Sequence, residues 1–158
     1  MKVYVPMTCD ILTAGHIMFL EEIRKKYKHP IICVGLLTDK ALKGYKDTIM
    51  SYKDRKYIVE NLKPVDKVIP QDTLNPYDNL IKTGCMAIAS GDGWEDEELK
   101  GIKKWEDYHY KEKLRIEKEA GKEMEERLWK PHILNIKLKD ETHKKYSSTK
   151  IKELCKGF

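Results

Sequence analysis

An α/β fold, built as a parallel sheet with helices on both faces and interrupted by one charged helical insertion, is predicted by three features of this sequence. Apolar stretches of strand length alternate with segments of helical period. One stretch, Ile31-Ile-Cys-Val-Gly-Leu-Leu37, is apolar throughout, as a strand covered on both faces must be. Between Glu95 and Lys130 the rhythm gives way to a segment dense in Glu and Lys.

Taken in order, Lys2-Val-Tyr-Val-Pro6 reads as the first strand. Gly15 to Tyr27 follows as a helix with Ile17, Leu20, Ile23 and Tyr27 on one face. After the second strand, Ser51 and Asp54 resemble a capping box, and Ile58, Val59 and Leu62 continue a helix that Pro64 must end. Val65 to Pro70 and Cys85 to Ser90 are the third and fourth strands, and Pro131 to Leu138 the last. In such a sheet ligands sit at the carboxyl ends of the strands.

In the insertion, Ile116, Ala120, Met124 and Leu128 recur every four residues, which predicts one or two helices with a thin apolar stripe. The simplest reading is a solvated helical excursion on the domain edge; a lid over an acceptor site and an oligomer contact are the alternatives. With neither internal repeat nor low-complexity linker, residues 1–158 read as a single domain carrying an insertion at 95–130.

Composition narrows the class. The chain has 158 residues, 41% hydrophobic and 36% charged, and its 31 basic and 26 acidic residues leave a net charge of +5. That excess favours an anionic partner, but the signs are mixed along the chain, so a small anionic ligand is expected rather than nucleic acid. No apolar run approaches the roughly 18 residues of a membrane helix, and Met1 to Pro6 is too short for a signal-peptide core, so a cytoplasmic protein is expected. Cys9, Cys33, Cys85 and Cys155 form no C-x-x-C pair and read as reduced thiols.

The chemistry begins where the first strand ends. Pro6-Met7-Thr8-Cys9-Asp10 leads through Ile11-Leu12-Thr13-Ala14-Gly15 to His16 at the start of a helix. A helix N-terminus offers unpaired N–H groups and a positive dipole end, which suit a phosphate. Gly15 permits close approach, and His16 can donate to a phosphate oxygen as charge develops. A Gly-His pair alone carries little, because a histidine beside a glycine is more often structural than catalytic.

Several segments together resemble one family in the right order. Met7-Thr-Cys-Asp-Ile-Leu-Thr-Ala-Gly-His16 resembles the G-T-F-D-x-x-H-x-G-H signature of the cytidylyltransferase-like nucleotidyltransferases, Gly35-Leu-Leu-Thr-Asp39-Lys their second-strand exit, and Ser51-Tyr-Lys-Asp-Arg55 their S-x-x-x-R helix start. Val65-Asp-Lys-Val-Ile-Pro70 resembles V-D-x-V-I-P, Ser90-Gly-Asp-Gly-Trp94 resembles G-D-D-W, and Tyr146-Ser-Ser-Thr-Lys-Ile151 resembles I-S-S-T-x-I. Within the family, the segments around Val34–Ala41, Tyr45-Lys46, Glu60–Val65 and Pro70–Leu74 are most similar to phosphonate-pathway cytidylyltransferase modules, with glycerol-3-phosphate cytidylyltransferases next.

The resemblance implies a Rossmann-like fold, a homodimer, and a reaction in which an acceptor phosphate or phosphonate oxygen attacks the α-phosphorus of CTP and pyrophosphate leaves. It implies catalytic roles for His16, Lys46 and Thr13. Met7, Thr8, Asp10, Gly15, Arg55, Gly91, Asp92, Trp94, Ser147, Ser148 and Thr149 would form the nucleotide site. Mg²⁺ would be carried by the triphosphate, with no metal ligand from the protein. Other readings of these residues stay open: Lys46 as a solvated lysine, Ser147 to Thr149 as an ordinary N-cap, Arg55 in an ion pair, Asp10 bracing the loop, Trp94 in the core.

Departures from the pattern bear on the substrate. Thr13 stands where many members have the first histidine, as in the T-x-G-H of phosphopantetheine adenylyltransferases, and losing one strong donor there is worth about 3 kcal/mol, or roughly a hundredfold in rate. Gly93 replaces the second acid of G-D-D-W, and Thr142 or His143 lies where an arginine is frequent. The expected activity is CMP transfer to a phosphonate or phosphorylated small alcohol. Adenylyl transfer from ATP and a catalytically degenerate nucleotide-binding protein are the alternatives.

Overall fold

The computed structural model describes residues 1–91, 93–138 and 148–156, and for residues 148–150 and 154 the backbone alone. Five parallel strands, β1 (Lys2–Met7), β2 (Ile31–Leu37), β3 (Lys67–Gln71), β4 (Ala87–Ser90) and β5 (His132–Asn135), lie in the order β3-β2-β1-β4-β5. This is the predicted α/β, Rossmann-like arrangement, and β2 has the predicted limits.

The other strands shift by a few residues, for local reasons. Met7 joins β1 because it pairs with Leu36. β3 starts at Lys67 rather than Val65 because the Val65 N–H bonds back to the Leu62 carbonyl, closing the turn after the preceding helix. Asp66 then accepts the Ile32 N–H at 2.7 Å and the Arg24 guanidinium at 2.7 Å, a cap on the sheet's amino edge. β5 ends at Asn135, although the Ile136 N–H still reaches the Ser90 carbonyl.

Strand alternation sorts β1 between two cores. Val3, Val5 and Met7 join Phe19, Leu20 and Ile23 of α1 (Ala14–Lys26) and Val59 of α3 (Tyr52–Glu60), while Tyr4 joins a second cluster with Leu80, Ile88, Ile102 and Trp105. The short α2 (Asp39–Leu42) follows β2, capped by the Thr38 hydroxyl, which accepts the Ala41 N–H at 3.3 Å. Ser51 caps α3 through the Asp54 N–H, as its spacing predicts. Helix α4 (Tyr77–Thr83) covers the second face.

Between β4 and β5 lie α5 (Asp96–Ala120) and the single-turn α6 (Glu126–Trp129). The apolar stripe is not the expected one. Gly121, at φ 63°, ends α5 in a left-handed C-cap whose N–H bonds to the Glu117 carbonyl, so Met124 and Leu128 leave the line of Ile116 and Ala120. Ile116 and Leu128 are exposed. The root of α5 packs instead: Ile102 and Trp105 are buried, and a Cβ on Gly101 would lie 2.2 Å from Asn75 Oδ1, so only glycine lets this helix approach the start of α4. Last comes α7 (Ser148–Cys155). Among the described residues no helix is long and apolar enough to cross a membrane.

Candidate active site

The strand order makes β1 the point where the sheet changes direction, with β2 on one side and β4 on the other. The crevice beyond such a point is where an open α/β sheet binds ligands. Residues 8–13 leave β1 there and turn into α1, whose N-cap is Thr13 in extended geometry (φ −125°, ψ 165°).

One turn into α1, the half-buried His16 reaches back to its cap. The Thr13 N–H donates to His16 Nδ1 at 3.1 Å, and the Thr13 hydroxyl lies 3.0 Å from the same nitrogen. An Nδ1 that accepts from a backbone amide carries no proton in the neutral ring, so the ring proton sits on Nε2. Thr13, expected among the catalytic residues, thus sets the tautomer and orientation of His16. Gly15 is the second residue of the helix.

The loop leading there is held from below by two buried charges. Asp10 is 4% exposed. Its Oδ1 accepts the N–H groups of Ile49 (2.8 Å) and Met50 (2.9 Å), and its Oδ2 accepts from the Lys152 ammonium of α7. Burial pushes the Asp10 pKa up, but the Lys152 hydrogen bond and the two amides outweigh it and hold the carboxyl below its usual range. Asp10 thus braces the loop, the role left open beside nucleotide contact.

Arg55, expected at the nucleotide, is wholly buried and turned into the protein. Its guanidinium donates to the carbonyls of Thr8 (2.7 Å), Leu37 (2.8 Å) and Met50 (3.3 Å) and pairs with Asp39 at 2.7 Å. Four of its five N–H donors serve these partners, so the ion-pair reading is the one seen. The contacts tie the exits of β1 and β2 to the start of α3. On the carboxylate side, the Tyr52 N–H and then Arg55 lower the Asp39 pKa.

The remaining predicted residues distribute around this edge. Met7 packs in the first core, and the Thr8 carbonyl serves Arg55. Cys9 between Thr8 and Asp10 adopts φ 54°, and burial pushes its thiol up to about 12, which leaves almost no thiolate at neutral pH. Lys46 is exposed on the loop after α2, whose neighbour Tyr45 donates to Glu95 at 3.3 Å, joining that loop to the start of the insertion. Gly91 follows β4 beside Phe19 of α1. Trp94 packs against the second core, and its buried Nε1 has no hydrogen-bond partner among the described residues. Ser148 and Thr149 are the first two residues of α7. Asp92, Ser147, Thr142 and His143 lie outside the described residues.

Sequence reasoning missed the partners of these braces: Asp39, the Ile49–Met50 peptide and Lys152. Lys152 stands 142 residues from Asp10, and no periodicity connects them. Among the described residues no group of three His, Cys, Asp or Glu side chains could hold a metal ion.

Over residues 5–154 the chain matches the family model described as cytidylyltransferase-like. It is 34% identical over 110 residues to an FAD synthase of Ferroglobus placidus, covering 65% of this chain and 71% of that one. It is 31% identical over 150 residues to an FAD synthase of Archaeoglobus profundus, covering 95% and 83%. With the glycerol-3-phosphate cytidylyltransferase of Bacillus subtilis it shares 34% identity over 96 residues, 60% of this chain and 73% of the relative. Among solved structures, the lipopolysaccharide core biosynthesis protein from Thermoplasma volcanium superimposes with a TM-score of 0.61 at 22% identity, covering 89% of this chain and 98% of that one, a likeness of fold.

Proposed function

We propose, for a chain that belongs to the cytidylyltransferase-like family and is a nucleotidyltransferase, that it transfers CMP from CTP to a phosphonate or phosphorylated small alcohol and releases pyrophosphate. The observation that carries this reading is His16 on the first turn of α1, its Nδ1 held by Thr13 so that Nε2 is the donor. In-line displacement at the α-phosphorus needs little proton chemistry, so catalysis is positioning and charge stabilisation. His16 Nε2–H would donate to the transferring phosphoryl group. Lys46 would approach from the facing loop, and Ser147, Ser148 and Thr149 would take the distal phosphates. Mg²⁺ bound to the triphosphate would neutralise part of its charge. Asp10 and Arg55 would act beneath the substrates, by holding the loops.

A second reading, adenylyl transfer from ATP, is favoured by the likeness to FAD synthases, since FAD carries an adenylyl group and one such likeness runs along 95% of the chain. Thr13 in place of a histidine points the same way.

The test is pyrophosphate release from CTP, ATP, GTP and UTP with Mg²⁺ against phosphonates, phosphorylated alcohols and FMN. Release with CTP and a phosphonate or phospho-alcohol is expected, and preference for ATP with FMN would transfer the assignment to the second reading. His16→Ala should lower kcat about 10²- to 10³-fold. Thr13→Val keeps the backbone amide and loses the hydroxyl, and should cost about tenfold. An unchanged rate in His16→Ala removes the histidine from the mechanism.

A further inference from the structure

The Asp10 carboxylate is shared by segments that the proposed reaction assigns to different substrates. One oxygen holds the Ile49–Met50 peptide, the end of the loop that carries Lys46. The other holds Lys152, one turn into α7, the helix that opens with Ser148 and Thr149. Lys152 also donates to the Asp47 carbonyl at 3.4 Å, so it touches the Lys46 loop directly. Arg55 holds Met50 from its other end, donating to the Met50 carbonyl at 3.3 Å.

We propose that Lys152 is a positioning residue, whose ion pair with buried Asp10 locks the docking of α7 to the order of the Lys46 loop. The physical basis is the cost of a bare buried charge. With α7 undocked, Asp10 keeps its two amide donors but loses its only cationic partner among the described residues. A buried carboxylate without its counter-charge draws in water or a proton, and either weakens the amide bonds that hold residues 49 and 50. The coupling must run both ways, so a disordered loop loosens α7 in turn. On the proposed reading of the site, which this inference deepens, a nucleotide that settles α7 also sets the Lys46 loop for the acceptor. The two substrates then bind with positive cooperativity.

Amide hydrogen exchange followed by NMR on the ligand-free protein tests the lock without reference to catalysis. Lys152→Met should speed exchange of the Ile49 and Met50 amides about tenfold or more while the β1 and β2 amides stay protected. Lys152→Arg should restore protection, and Asp10→Asn should speed exchange across α7. If Lys152→Met fails to fold, Lys152→Gln, which keeps a neutral donor, gives the same comparison. Unchanged exchange at residues 49 and 50 in a folded Lys152 variant overturns the proposal. Kinetics then separates it from the reading it rests on: Lys152→Met should raise KM for the acceptor more than it lowers kcat. A lock seen by exchange in a protein that turns over no nucleotide retires the reaction and leaves the lock standing.

Discussion

At the corner where β1, β2 and α3 meet, Arg55 reaches Asp39 across 16 residues of chain, and Lys152 reaches Asp10 across 142. In the α5–α6 insertion the ion pairs, Lys100–Glu97, Lys113–Glu117, Arg115 with Glu112 and Glu119, Arg127–Glu125 and Lys130–Glu126, join residues two to four apart. The pairs look alike at atomic distance but differ in surroundings. At the corner one partner of each pair is nearly sealed from water, so removing the other strands a charge. Most of the insertion's charges face solvent, where screening and side-chain entropy leave a pair with little net effect on stability. The corner's charges position loops; the insertion's mainly keep a long helix in water.

The largest break in this comparison should come from Arg55→Met. It deprives three carbonyls of their donor while Asp39, more than half exposed, returns to water; at about 1–3 kcal/mol for a buried carbonyl left unsatisfied, stability should fall by about 3 kcal/mol in urea unfolding. A loss below about 1 kcal/mol would place the corner in the same class as the insertion.

A middle-sized effect is expected from acid. The folded pKa of Asp10 is depressed, so its contribution to stability is complete above its unfolded value near ~3.9 and is lost as pH falls through the folded one. Urea midpoints between about pH 6 and pH 2.5 should fall at the acid end and fall less in Asp10→Asn. Equal slopes would show that other carboxylates govern the acid limb.

The smallest change belongs to Arg115→Ala. It removes two insertion pairs at once, yet should leave the urea midpoint within experimental error of the parent, and added salt should erase any shift. A loss comparable to that of Arg55 would mean the charged helix contributes more than solubility.

The same division explains what was legible in the sequence. β2 could be read to the residue because Ile32 to Leu37 are buried and leave no polar position, and Ser51 announced α3 through a local bond to residue 54. His16 was legible through its motif, but the Thr13 contact that orients it was not, since T-x-G-H specifies residue types and not a ring's hydrogen bond. Arg55 was marked by the S-x-x-x-R helix start and its role read outward, because a sequence cannot show that a charge faces the interior. The Asp10–Lys152 pair was invisible, being a tertiary contact across nearly the whole chain. The stripe through Ile116 and Leu128 misled because Gly121 breaks the helix between them, whereas the true anchor, Trp105, lies among lysines and acids.

The root of α5 also constrains how this chain can vary in length. Gly101, Ile102 and Trp105 fill the second core, and Trp105 is fully buried beneath the sheet. Excising residues 95–130 and splicing β4 to β5 would therefore leave a void the size of an indole and an isoleucine, not a shorter surface loop. Related chains that differ here should gain or lose residues beyond Tyr108, where the helix has left the core, and should keep a glycine and a large aromatic four residues apart at its base.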